Sequence, residues 1–150
     1  MLQNLDSVIL FTRGTTYWEG NEPSSSKQKV PSLDKREYFN GFQRTVDTLK
    51  TSNVALFYVT ENPELQFQAR SCLPRPFNSD FAQKCDQALD LVLARQRDYR
   101  NELSMLKGIS VLDANKAFCN DERICFAVNS KNQLLYADDD HLSVIGSKWQ

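Results

Sequence analysis

The single histidine of the chain, His141, stands three residues after Asp138 and directly behind the acidic run Asp138-Asp139-Asp140. A carboxylate held against imidazole Nδ1 fixes the tautomer and stabilises the imidazolium that forms when Nε2 takes a proton. Residues three apart share a face in a helical turn, so Asp138-x-x-His141 has the spacing of the base half of a nucleophile–His–Asp site. In that reading His141 is general base and then general acid, and Asp138 orients it. Asp139 and Asp140 are second choices for the carboxylate. The same residues also read as an acidic N-cap before a short terminal helix, with a surface histidine beside it.

The rest of the chain limits what such a site could belong to. At 150 residues, 41% hydrophobic and 25% charged, it fits one globular domain able to bury a core. A net charge of −1 favours neither nucleic acid nor an anionic membrane surface as partner. No apolar run approaches bilayer-spanning length. The opening Met1-Leu2-Gln3-Asn4-Leu5-Asp6 lacks the basic and apolar regions of a signal peptide.

Four cysteines suit two short-loop disulfides, Cys72–Cys85 and Cys119–Cys125, in an oxidising compartment. Four reduced, partly buried thiols are the alternative. One histidine and the lack of a Cys-x-x-Cys pair argue against a zinc site, so no metal or cofactor is expected. An exported chain without an export signal implies further sequence before Met1.

Several elements are needed to position the histidine. Val8-Ile9-Leu10-Phe11-Thr12 predicts a buried strand. Arg13 follows at its end, either facing a cleft as a substrate or oxyanion contact or simply solvated. Residues 15–32 read as a polar loop, and Ser32 or Asp34 caps a helix whose apolar stripe is Phe39, Phe42, Val46 and Leu49. Residues 50–53 end that helix, and residues 54–59 form a second buried strand. Strand, helix, strand at this spacing predicts a right-handed parallel crossover.

Residues 60–64 leave the second strand at the edge where open α/β sheets carry their sites. Asn62 and Glu64 are therefore cleft candidates. Residues 72–77 read as a proline-stiffened extended stretch. A long helix is predicted over 80–105, with Leu89, Val92, Tyr99, Leu103 and Leu106 as its stripe, Arg95, Arg97 and Arg100 on its solvated face, and Gly108 ending it. Residues 109–113 predict a third strand. The fold class is α/β, with a small, mostly parallel sheet flanked by helices.

The final block reads Cys119-Asn-Asp-Glu-Arg-Ile-Cys125, then Leu134-Leu135-Tyr136-Ala137-Asp138, then His141-Leu142-Ser143 and Gly146. It resembles the last block of SGNH-type esterases and acetyltransferases. The likeness is in particular to the SGNH domain at the C-terminus of family 3 membrane acyltransferases, which O-acetylate bacterial surface polysaccharides. Two cysteines, a short strand with Tyr-x-Asp, and His-Leu-Ser with Gly carry the resemblance. Pro63-Glu64 after the second strand extends it, whereas Gly14 stands where that family has Trp after Arg.

The resemblance implies a three-layer, SGNH-hydrolase-like (flavodoxin-like) fold. It implies transfer or hydrolysis of an O-acetyl group on a cell-envelope polysaccharide, with that polysaccharide and an acyl donor as partners. It also implies an acyltransferase membrane domain upstream and a periplasmic or extracytoplasmic location at the inner membrane.

The nucleophile of that family lies in Gly-Asp-Ser on the loop after its first strand, and this sequence has no Gly-Asp-Ser. Asp6-Ser7 precedes its strand, at the wrong end of the sheet, and Ser143 follows His141 too closely to be aimed at it. Residues 1–150 are thus expected to form a partial SGNH-like domain lacking its N-terminal strand and nucleophile loop. The alternative is a catalytically inactive, disulfide-stapled glycan-binding or interaction module. A third reading is a cytoplasmic protein with reduced thiols and an incidental Asp-x-x-His.

Overall fold

The computed structural model describes residues 5–19, 34–73 and 85–149. It divides into two compact units. Among the described residues, the first comprises 5–19, 34–61 and 95–114, and the second comprises 62–73, 85–94 and 115–149.

The first unit holds a three-stranded parallel sheet. Strand β1 (Ser7–Phe11) pairs with β2 (Ala55–Val59), and β2 pairs with a third parallel strand, Ser110–Leu112. Each comes from an apolar run, as expected of strands in a parallel sheet. Side chains alternate across the sheet. Val8, Leu10, Leu56 and Tyr58 pack under the helices, while Ile9 (64% exposed) and Phe11 (56% exposed) lie on the opposite face of an edge strand.

After β1, residues 14–19 form a short helix, α1 (Gly14–Glu19), where the sequence reads as loop. Its cause is not local. Glu61, 46 residues away, accepts the Thr15 backbone N–H at 3.0 Å and satisfies a donor left open at a helix start. Gly14 lies against the Tyr99 ring, so a Cβ there would collide with the phenol. Glycine in place of tryptophan makes room for this ring.

Helix α2 (Lys35–Lys50) matches its predicted stripe, with Val46 fully buried and Phe39, Phe42 and Leu49 packed on the core. Asp34 is its N-cap, accepting from the N–H groups of Arg36 and Glu37 at 2.9 and 3.2 Å. Ser32, the other cap candidate, lies outside the described residues. The hydroxyls of Thr12, Tyr38, Tyr58 and Tyr99 meet beneath the helices, with Tyr58 and Tyr99 2.6 Å apart. Burial pushes the Tyr58 phenol up to about 12 and that of Tyr99 higher still.

The long helix predicted from residue 80 begins later. Asp86–Ala88 is a strand, β3, and α3 runs Leu89–Met105; residues 80–84 lie outside the described residues, as do 74–77 of the proline stretch. β3 pairs antiparallel with Ile124–Phe126, a partner far away in sequence. Arg100 is also not solvated. Its guanidinium pairs with both carboxylate oxygens of Asp113, at 2.5 and 3.2 Å.

With the strand Ser110–Leu112 as β4, the helix Asn115–Phe118 as α4 and Ile124–Phe126 as β5, the element order is complete. The fold is therefore mixed α/β, with one parallel and one antiparallel sheet. The second unit packs Leu65, Ala69, Phe118, Ala127, Leu135 and Tyr136 around its two disulfides, Cys72–Cys85 and Cys119–Cys125. No described helix is long and apolar enough to cross a membrane.

Candidate active site

The site lies in the second unit, on a closed loop of residues 136–142. A Tyr136–Leu142 bridge pins its base, and the Ala137 N–H donates to the His141 carbonyl at 2.8 Å. The backbone between is not the terminal helix the sequence suggests, and the last turn, Gly146–Lys148, is a separate 3-10 turn. Asp138 is the reason. Its Oδ1 accepts from the N–H groups of His141 (2.7 Å) and Asp140 (3.0 Å), an Asx-type turn that competes with helix. The three-residue spacing still brings the side chains together, with His141 Nδ1 2.9 Å from Asp138 Oδ2.

A second carboxylate reaches the same nitrogen. Asp140 Oδ1 lies 2.8 Å from Nδ1, and its side chain is only 10% exposed, against 39% for Asp138. With acceptors on Nδ1, that nitrogen carries the proton and Nε2 holds the lone pair. The imidazole is 62% exposed, and its Nε2 has no partner among the described residues. Partial burial pulls the Asp138 carboxyl upward, but the hydrogen bonds from the His141 and Asp140 backbone and the His141 ring outweigh it. Its pKa falls to about 2. Asp138 therefore stays ionised beside the ring at neutral pH.

The segment 62–69 holds the acidic run by its carbonyls. Asn62 Nδ2 donates to the Asp140 carbonyl at 3.0 Å, the Leu65 N–H to that of Asp139 at 2.7 Å, and the Ala69 N–H to that of Asp138 at 3.1 Å. Gln68 adds a bond to Asp139 Oδ1 at 3.1 Å. Asn62 is thus brought to the histidine loop, as a tether. Glu64 is buried, and its carbonyl accepts from Gln87 Nε2 at 2.6 Å. Arg13 is half-buried just past β1, in the first unit.

Ser143, after His141-Leu142, is fully engaged. Its Oγ donates to the Leu134 carbonyl at 2.7 Å and accepts from the N–H groups of Ile145 and Gly146 at 3.1 and 2.9 Å. The hydroxyl anchors the chain as it leaves the loop and is not available as a nucleophile. Only its Ser-x-x-Gly setting hinted at this turn, and no local signal pointed to the tethers from Asn62 and Gln68.

Asp138, Asp140 and His141 bring their ligating atoms within 4.8 Å of one another. His141 Nδ1 is already in contact with both carboxylates.

A free imidazole Nε2 backed by an ionised aspartate has the arrangement that a general base requires. The family model described as the SGNH domain (fused to AT3 domains) matches residues 1–150. The chain belongs to this SGNH domain family. No curated protein and no solved structure matches it.

Proposed function

We propose that this SGNH domain takes part in O-acyl, in particular acetyl, transfer or ester hydrolysis on a bacterial cell-envelope polysaccharide. The observation that carries the reading is His141, with Nδ1 against Asp138 and Nε2 open to solvent. Nε2 takes the proton of a serine hydroxyl as its oxygen attacks the ester carbonyl. The oxygen–carbon bond forms and the carbonyl electrons move onto oxygen. His141 then returns the proton to the leaving oxygen as the acyl–oxygen bond breaks. Asp138 holds the tautomer and balances the imidazolium.

The serine, in this reading, comes from a strand and loop outside the described residues. β1 supports it: the strand has a neighbour on one side only among the described residues, and Ile9 and Phe11 stand exposed on one face. A further strand beside β1, with a helix over that face, would complete a three-layer sheet. The fused acyltransferase domain would supply the acyl donor side, and the two disulfides support an extracytoplasmic, periplasmic setting.

The engaged Ser143 also favours a second reading, a non-catalytic glycan-binding module. A serine-directed fluorophosphonate separates the two. Labelling of one serine, lost in His141→Ala, supports the enzyme. A folded protein fused to its acyltransferase domain that is never labelled supports the binder.

A further inference from the structure

A second feature of this unit follows directly after the histidine loop. An open depression of about 330 Å³ lies between the 128–134 hairpin and the C-terminal turn. That is the lower end of small-ligand sites, about 300–1,000 Å³. Lys131 stands on the hairpin side, with Val144, Ile145, Lys148 and Trp149 opposite.

Both walls are fixed. Asn129 Oδ1 accepts from the N–H groups of Lys131 (2.9 Å) and Gln133 (3.0 Å), and its amide donates to Gln133 Oε1 at 2.9 Å. The lining amides therefore hold the hairpin. Trp149 Nε1 donates to the Ala117 carbonyl at 2.9 Å, and its ring packs on the core of the unit. The indole is held in one orientation while the residue stays half-exposed.

The exposed lining combines apolar and cationic side chains with the neutral polar Ser130 and Gln133. Val144 is 74% exposed and Ile145 38%, beside the Trp149 ring. No aspartate or glutamate lines the depression, and neither Lys131 nor Lys148 has an ion-pair partner among the described residues. In a chain with 19 acidic and 18 basic residues, two unpaired ammoniums around an aromatic floor form a local charge asymmetry. A pyranose ring presents C–H groups to such a floor, and a carboxylate on it meets the ammoniums as point charges.

We propose that this depression is a glycan subsite for a hexuronic acid residue. This deepens the envelope-glycan reading above and rests on it. Val144 follows His141 by three residues, so their Cα atoms are at most about 11 Å apart. The bound uronate would lie beside the sugar whose ester meets His141.

The test is titration of the full chain with tetragalacturonate, beside neutral galactotetraose, followed by Trp149 indole and Val144 and Ile145 amide resonances. Tetragalacturonate is expected to shift these resonances and to bind more weakly as salt rises. Galactotetraose should bind at least about fivefold more weakly. Exposed ion pairs contribute about 0.2–1 kcal/mol each, so Lys131→Glu/Lys148→Glu should weaken uronate binding about tenfold. That variant leaves the core contact of Trp149 in place. Equal binding of both oligomers, binding of neither, or an unaffected charge-reversal variant would overturn the subsite. His141→Ala should bind tetragalacturonate as the parent does, so loss of the acyl-transfer reading and loss of the subsite are read separately.

Discussion

Asn62 Nδ2 donates to the Asp140 carbonyl at 3.0 Å, a bond between residues 78 positions apart that ties the loop after β2 to the loop bearing the histidine. A net hydrogen bond contributes about 0.5–1.5 kcal/mol. Asn62→Ala should therefore lower the urea midpoint modestly. Faster amide exchange should be confined to residues 138–141. Unchanged exchange there would mean that the Leu65 and Ala69 bonds hold the loop alone.

Acid should release the histidine loop late. The Asp138 carboxyl is held near 2 in the fold, below its ordinary value of 3.8. A depressed carboxylate adds stability that is fully present above about pH 4 and is lost as pH falls through the folded value. The Asp138 carboxyl carbon, followed by NMR, should titrate near 2, and the His141 and Asp140 amide shifts should move with it. Titration near 4 would show that the turn is not formed.

Ser143 and Gly146 should behave as structural residues. Ser143→Ala leaves the Leu134 carbonyl and two N–H groups without their partner, at a cost of about 1–3 kcal/mol. A Cβ on Gly146 meets the Leu135 carbonyl, backbone that cannot swing aside. Gly146→Ala should thus be destabilising by about 1–3 kcal/mol, typical of overpacking. Thermal melts check both. A Ser143→Ala protein of parental stability would contradict the anchoring role.

How far these relationships were legible in the sequence depended on distance along the chain. β1, β2 and α2 come from apolar runs and a helical stripe, local patterns that the packing reinforces. Asp86–Ala88 was hidden because three mixed residues become a strand only against Ile124–Phe126. The helix at Gly14 needed Glu61 and Tyr99, which no window around it contains. At the site, the spacing of Asp138 and His141 indicated their contact but not its backbone. The side chain of Asp138 took the N–H groups that a helix would have used. Asp140 was a second choice for the carboxylate, ranked below Asp138 because an acidic residue there also reads as a cap, and it reaches the same nitrogen.

Loss of the longer disulfide should loosen the site's own unit. Cys72 and Cys85 are 13 residues apart, and closing a loop of that size stabilises by about 3 kcal/mol in the chain-entropy account. Cys72→Ala/Cys85→Ala should lower the unfolding midpoint and increase exchange at Leu65 and Ala69. If exchange at these two residues is unaltered, the bridge does not support segment 62–69.

The most direct test of the account is hydrolysis of a small activated acetyl ester by this domain joined to an acyltransferase membrane domain, beside the His141→Ala variant. General base catalysis contributes about 10²–10⁴-fold. The account predicts a loss of that size in kcat, with folding intact by circular dichroism. A His141→Ala protein that hydrolyses the ester at the parental rate would contradict it.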